Sequence, residues 1–134
     1  MQTLLPEGWA APIGYSNGIK TPPGGHTIYI AGQVGWSADQ VFASEDLAPQ
    51  FEQALKNVLA VLATGGGGPE HICRMTVYCC DKPEYLASRK RLGAIWRDLM
   101  GTHYPAMSMI FVSDLLDHPG KVELEATAVI PADP

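Results

Sequence analysis

The chain has 134 residues, enough for one folded domain over residues 1–134 with its own core. Its formal net charge of −5 argues against general affinity for RNA or DNA, because domains that bind nucleic acids usually carry a basic stripe. No apolar run approaches the roughly 18–20 residues that cross a bilayer, so no membrane partner is predicted. The N-terminus lacks the features of a signal peptide and the three cysteines make a poor disulfide framework, which together favour a cytoplasmic protein.

The first half of the chain predicts two strands and a helix. The apolar, β-branched run over residues 28–34 is typical of a strand, and residues 15–19 are expected to be its hairpin partner across the turn at 21–25. The period then changes to that of a helix, which follows Ser44 and ends at the glycine run 65–68. The apolar stripe of this helix consists of Leu47, Phe51, Ala54, Leu55, Val58 and Leu62.

The second half predicts a strand, a helix and two more strands. Residues 72–80 are typical of a buried strand, and Asp81 is a candidate N-cap for the helix that follows, with Pro83 in its first turn. Gly101 ends that helix, whose apolar stripe consists of Tyr85, Leu92, Trp96 and Leu99. Strands are expected over residues 106–113 and 121–130.

These elements give the order β-β-α-β-α-β-β, a two-layer α+β domain built from two helices and one mostly continuous sheet. One layer of two helices covers only one face of a sheet. The other face must meet solvent or another subunit. Because the strands are so apolar, contact with another subunit is favoured over exposure to solvent. A charged fraction of only 17 % agrees with a partly covered surface, so we expect an oligomer.

Two conspicuous motifs favour structural over functional roles. The glycine run 65–68 follows a helix and lacks the Gly-Lys-Ser/Thr sequence of a phosphate-binding loop, which indicates a flexible loop. Cys73, Cys79, Cys80 and the four histidines do not show the spacing of a zinc site, so no metal is predicted. Buried structural cysteines are favoured over a catalytic thiol, because no neighbouring base is identified.

Three charged residues allow two interpretations each. Arg89 falls within the apolar face of the second helix, so either its tip reaches water at the edge or it points into a pocket and holds a carboxylate. Glu123 and Glu125 face the same side of the last strand, opposite its Val, Leu and Ala residues. They are either solvated or, at an oligomer interface, candidates for an acid or base, because partial burial raises the pKa of a carboxyl group.

Five segments occur in an order and spacing that resembles the YjgF/YER057c/UK family, also called the Rid or reactive-intermediate-deaminase family. No single segment is specific, but their combination covers nearly the whole chain. They are residues 13–15, residues 30–33, residues 53–58, Tyr104-Pro105-Ala106 and residues 122–126.

The resemblance implies a chorismate-mutase-like fold, assembled as a homotrimer with clefts between neighbouring subunits. It also implies hydrolysis of enamine or imine intermediates, such as 2-aminoacrylate, to a 2-keto acid and ammonia without a cofactor. In such sites a glutamate matching Glu125 positions or activates water, and a tyrosine matching Tyr15 closes the cleft. Backbone groups near Gly32 and a side chain matching Arg89 complete the lining.

The chain departs from the family pattern at the substrate site. Met107 stands where the family usually has the arginine that binds the substrate carboxylate, and Ala31 stands where many deaminating members have serine. Loss of a charged clamp should weaken binding of small 2-imino acids. Arg89, where those members often have asparagine, could supply a charge from another wall, while Met107, Met109 and Phe111 would form an apolar wall suited to a larger substrate.

Three functions follow in order of preference. The first is hydrolysis of C=N or enamine bonds in a small-molecule substrate other than 2-aminoacrylate. The second is a trimer that binds a small ligand without catalysis. The third, ribonuclease activity, rests on the label L-PSP endoribonuclease that some family members carry, and the acidic charge argues against it.

Overall fold

Two helices cover one face of a four-stranded sheet in the computed structural model, which describes residues 1–133. The strands are β1 (Gln2–Leu4), β2 (Gly18–Lys20), β3 (His26–Val34), β4 (Ile72–Cys79), β5 (Ala106–Phe111) and β6 (Val122–Ile130), and the helices are α1 (Leu47–Thr64) and α2 (Lys82–Met100). The strand order of the main sheet is β3-β6-β4-β5. This arrangement confirms the predicted two-layer α+β fold.

The pairing within the sheet follows from its connections. β6 is antiparallel to both β3 and β4, whereas β5 is parallel to β4. Parallel neighbours need a long crossover connection, which α2 supplies between β4 and β5. The sheet therefore places the last strand in its middle, where β6 has a neighbour on each side.

The helices form where the sequence predicts them. All six stripe residues predicted for α1 are buried against the sheet, and the helix ends directly before Gly65. At the start of α2 the Asp81 side chain accepts a hydrogen bond from the Glu84 backbone N–H at 3.0 Å, which satisfies one of the unpaired donors of the first turn. Gly101 ends α2 with a φ of 65°, a conformation that glycine adopts readily.

The predicted N-terminal hairpin is wrong. β2 pairs with a strand that the sequence did not predict, β1, rather than with β3, and together they form a separate two-stranded sheet. The connection over residues 21–25 contains two prolines and two glycines of positive φ, and Gly25 lies against the Ile130 backbone at the end of β6. The main sheet is therefore less continuous than expected, because this connection leads away from β3 instead of forming a tight turn.

The uncovered face of the sheet is more polar than the sequence suggested. The apolar residues of β4 and β6 mostly point at the helices, whereas the opposite face carries Thr76, Tyr78, Ser108, Glu123 and Glu125. Tyr29 on β3 is 81 % exposed. The apolar strands that led us to expect an oligomer therefore account for the core, and they are not themselves evidence for a subunit contact.

No helix within residues 1–133 has the length and hydropathy to span a bilayer.

A buried glutamine joins the start of α1 to the loop before β6. Gln50 is 1 % exposed, and its Nε2 donates to the Ser44 and Pro119 carbonyls at 3.0 and 3.1 Å. Its Oε1 accepts from the Lys121 backbone N–H at 2.7 Å. A Cβ at Gly35 would lie 2.5 Å from the Gln50 Cα, so a glycine is needed where β3 leads past the helix.

We expect Gln50→Leu to destabilise the fold by about 3 kcal/mol, because three backbone groups would lose their hydrogen-bond partner inside the protein. Urea unfolding of the two proteins measures the difference. The exposed Gln2→Leu replacement is the matched control and should change stability by less than about 0.5 kcal/mol. Equal effects of the two substitutions would contradict the structural role of Gln50.

Candidate functional site

Glu125 and Met107 lie on opposite faces of the main sheet. Glu125 pairs with Thr76, whereas Met107 pairs with Met75, and residues directly opposite each other in a sheet share a face. Because successive residues of a strand point to opposite sides, the side chains of residues 75 and 76 diverge. Met75 is buried under the helices, so Met107 faces the helix side and Glu125 faces the uncovered side.

The uncovered face holds a cavity of 410 Å³, here called the outer cavity. Glu125 and Thr76 line it together with Ala31, and Arg74 lies at the same cavity. The Tyr78 hydroxyl donates to Glu125 Oε1 at 2.6 Å, a short bond that fixes one carboxylate oxygen. This bond and the charges of Glu125 and Glu123 raise the pKa of Tyr78, so the phenol stays protonated as a donor.

A β-bulge brings backbone groups to Glu125. Ile30 pairs with Ala126 and Gln33 with Leu124, so Ala31 and Gly32 together face the single residue Glu125. Two residues opposite one leave part of the ladder unpaired and kink the strand. The bulge therefore leaves part of the main chain of residues 31 and 32 outside the ladder opposite Glu125, where the Ala31 carbonyl accepts from Gln33 Nε2 at 3.1 Å.

Glu123 occupies a crowded position beside the bulge. A Cβ on Gly32 would collide with the Glu123 carboxylate, so a larger residue at this point of the bulge would require the Glu123 side chain to move. Burial raises the pKa of Glu123, and the negative charges of Asp117 and Glu125 raise it further. The folded protein therefore holds Glu123 in an environment that disfavours its charged form.

A second cavity of 450 Å³ opens beside α2 and is here called the α2 cavity. Met107 and Met109 form part of its wall, and Arg89 lies at it, but Phe111, the third residue of the predicted apolar wall, does not line it. Trp96 and Tyr104 line it as a stacked pair with ring centroids 5.8 Å apart, and the Trp96 indole N–H donates to the His103 carbonyl. The cavity thus combines an apolar wall with cationic groups from the helix.

Two arginines of α2 line this cavity without an acidic partner. Arg89 and Arg97 make no salt bridge with any carboxylate of residues 1–133. Glu84, the acidic residue in the first turn of α2, does not line the cavity: it accepts from the Leu47 backbone N–H and pairs with Lys121 Nζ, both at 2.5 Å. The guanidinium groups are therefore available to an anionic ligand.

The N-terminal segment borders the α2 cavity. Ile13 and Gly14 line it, and Ser16 is held at the start of β5 by a backbone hydrogen bond to the Pro105 carbonyl at 3.0 Å. Tyr15 lies between these anchors and is 41 % exposed, but it lines neither cavity. A role for Tyr15 in closing a cleft stays a prediction.

The cysteines lie in surroundings that suit structural roles. Cys79 is fully buried in the core, and burial raises the pKa of its thiol. Burial also raises the pKa of Cys73 and Cys80, which keeps all three thiols protonated. Within the described part of the chain, no group of three or more His, Cys, Asp or Glu residues is placed to hold a metal ion.

The structure divides the predicted site residues into two groups. Glu125 and Ala31 lie at the outer cavity, with Gly32 in the adjoining bulge, whereas the α2 cavity takes Arg89, Met107 and Met109. Sequence reasoning missed Arg74, Tyr78 and Arg97. Arg74 and Tyr78 lie two residues before and after Thr76 on the same strand face, and Arg97 lies eight residues after Arg89 on the same helix, so the signals were present in the residue spacing.

Comparison with known proteins supports the resemblance found in the sequence. A family model described as Endoribonuclease L-PSP matches residues 8–130. The fold is similar to the crystal structure of a protein of unknown function of the conserved Rid family from Yersinia pestis, with a TM-score of 0.84 and 31 % identity. That match covers 96 % of this chain and 98 % of the other.

Two curated relatives differ in their names. The chain is 29 % identical over 105 residues to human 2-iminobutanoate/2-iminopropanoate deaminase, covering 77 % of this chain and 72 % of the human protein. It is 24 % identical over 119 residues to the mitochondrial protein MMF1 of Saccharomyces cerevisiae, covering 89 % of this chain and 75 % of the yeast protein.

We expect Glu123→Gln to raise the midpoint of thermal unfolding at pH 7. A carboxyl whose pKa is raised on folding stabilises the fold when protonated, and this contribution is lost as the pH rises from its ordinary value near 4.5 through the raised value. Glutamine stays neutral, so the increase in the midpoint of thermal unfolding should be present at pH 7 and shrink towards pH 4. Thermal unfolding followed by circular dichroism at both pH values measures it.

Glu45→Gln is the control for this measurement, because Glu45 is exposed and lines neither the outer nor the α2 cavity. A Glu123→Gln protein that is less stable than the native one at pH 7 would show that its carboxylate contributes favourable contacts.

Proposed function

This chain belongs to the endoribonuclease L-PSP family, and we propose that it hydrolyses imine or enamine bonds in a small metabolite, within a cleft between subunits of a homotrimer. The proposed hydrolase needs no cofactor and acts in the cytoplasm. One observation carries the proposal: the candidate base lies on the uncovered face together with Arg74, whereas the arginines of the α2 cavity lie on the other side of the same sheet.

This separation is the reason for a shared site. A carboxylate on the uncovered face and arginines beside α2 cannot reach one small substrate within the same chain, because the sheet stands between them. Each subunit instead carries two half-sites, and a neighbouring copy can bring its outer cavity against the α2 cavity. The family resemblance implies clefts between subunits, and in this proposal each cleft takes one half-site from each neighbour.

The chemistry assigned to the outer cavity is addition of water to a C=N bond. Glu125 accepts a proton from water while the water oxygen bonds to the imine carbon, and the nitrogen takes up a proton. The C–N bond then breaks, so one imine and one water give a carbonyl compound and ammonia. Tyr78 orients the Glu125 carboxylate, and the bulge at Ala31 and Gly32 offers backbone groups to the polar intermediate.

The α2 cavity supplies binding and selectivity. Arg89 takes the substrate carboxylate that an arginine at position 107 holds in the family pattern. Met107 and Met109 contribute a flexible apolar wall instead, which suits substrates with a longer body than 2-aminoacrylate. The human relative is named for deamination of 2-iminobutanoate and 2-iminopropanoate, so the proposed reaction class is the same and the substrate differs.

Replacement of Glu125 separates an enzyme from a binding protein. We expect Glu125→Ala to lower the hydrolysis rate by about 10²–10⁴-fold while leaving the affinity for carboxylate ligands within a few-fold, because Glu125 acts on water rather than on the carboxylate. Imines are produced in the cuvette by an amino-acid oxidase, and semicarbazide traps what the protein does not hydrolyse.

Glu45→Ala is the control variant, since this exposed residue belongs to neither half-site. A native protein that binds carboxylates yet accelerates no imine hydrolysis would support the non-catalytic trimer. Unchanged turnover in Glu125→Ala would overturn the assignment of the base.

A further inference from the structure

We propose that Arg97 is a second anion-binding residue of the α2 cavity, and that with Arg89 it selects substrates carrying two carboxylates. The ligand class is a 2-imino dicarboxylate. This inference rests on the proposed function for the reaction, but the dicarboxylate preference can be measured without any turnover. A 2-imino dicarboxylate differs from 2-iminobutanoate and 2-iminopropanoate, the single-carboxylate substrates for which the human relative is named.

Gly93 gives Arg97 its position at the cavity. Arg89, Gly93 and Arg97 follow one another at intervals of four residues, so they lie along one side of α2. A Cβ at Gly93 would come within 3.3 Å of Arg97 Nη1. The guanidinium group of Arg97 therefore lies over Gly93, one turn towards the N-terminus, and points back in the direction of Arg89.

The charges around the cavity favour a dianion. Its lining includes two arginines but no aspartate or glutamate, although the whole chain carries a net charge of −5. One carboxylate binds to one guanidinium through paired hydrogen bonds, which leaves the second guanidinium free. A ligand with two carboxylates satisfies both cations.

The spacing of the two arginines suits a short dicarboxylate. Eight residues separate their backbones by about 12 Å along the helix axis. Helical side chains all lean towards the N-terminus, so the lean alone leaves this separation unchanged, and the two long, flexible arginine side chains must converge on the ligand to bring their charged groups closer. Methylene groups of the ligand would then contact Met107 and Met109 between the two charged ends.

The reaction stays the one already proposed. Water adds across the C=N bond, ammonia leaves, and both carboxylates remain unchanged in the 2-oxo dicarboxylate product. No oxidant or reductant is needed. The reaction that supplies such a substrate must oxidise an amino dicarboxylic acid at its α-carbon, or eliminate a group from its β-carbon.

The first test is binding of unreactive probes, with glutarate as the dicarboxylate and butyrate as the monocarboxylate. Isothermal titration calorimetry should show glutarate bound at least about tenfold more tightly by the native protein. Arg97→Ala should lower the ratio of glutarate to butyrate affinity by about tenfold. Gly93→Ala should lower this ratio by less, because the added methyl displaces the guanidinium without removing it.

Arg91→Ala is the matched control, since Arg91 is also an exposed arginine of α2 but does not line the cavity. It should leave the ratio unchanged. Equal affinity of the native protein for both probes would overturn the inference. So would an Arg97→Ala protein with an unchanged ratio.

Turnover distinguishes this inference from the proposed function. Imines made from aspartate and from alanine by suitable oxidases are compared, and kcat/KM should favour the aspartate-derived imine. Hydrolysis of both imines at equal kcat/KM would contradict the dicarboxylate selectivity and leave the proposed function standing. Tight glutarate binding without hydrolysis of either imine would contradict the proposed function and support the Arg97 assignment.

Discussion

The alternation of side chains along β4, β5 and β6 governs the rest of this molecule. It sends Met75 and Met107 under the helices and leaves Thr76 and Glu125 on the uncovered face. A register shift of one residue would exchange these faces and bury the carboxylate in the core, which the hydrophobic packing forbids. The same alternation that builds the core therefore divides the candidate site into two halves, and this division leads to the proposal of a site shared between subunits.

Position 107 carries methionine where the family pattern has arginine, and this difference is easier to understand from the α2 cavity than from the strand alone. A methionine there packs against the core from the cavity wall, and two arginines of α2 provide positive charge at the same cavity. Gly93 lowers the helix propensity by roughly 1 kcal/mol relative to alanine, yet it leaves room for the Arg97 guanidinium. In our account the cationic function has moved from a strand to a helix, together with a change in the ligands that fit.

Much of the fold could be predicted because its signals are local. The stripe of α1, the Asp81 cap and the alternation of β6 each depend on residues close in sequence. The pairing of β2 with β1 could not be predicted in this way, because it depends on the path of residues 21–25 beside Ile130. At the candidate site, the sequence could not show that the predicted residues divide between two cavities, because that division depends on the register between strands. The Tyr78–Glu125 hydrogen bond likewise depends on that register.

The shared cleft is tested most directly by mixing two variants that our account expects to be inactive, Glu125→Ala and Arg89→Ala, and letting the subunits reassemble. Each variant alone lacks one half of every site, but in random mixed trimers roughly one cleft in four combines an intact half-site from each neighbour. Our account predicts recovery of roughly a quarter of the native hydrolysis rate after reassembly. A mixture that stays inactive, although mass spectrometry shows that mixed oligomers have formed, would contradict a site built from two subunits.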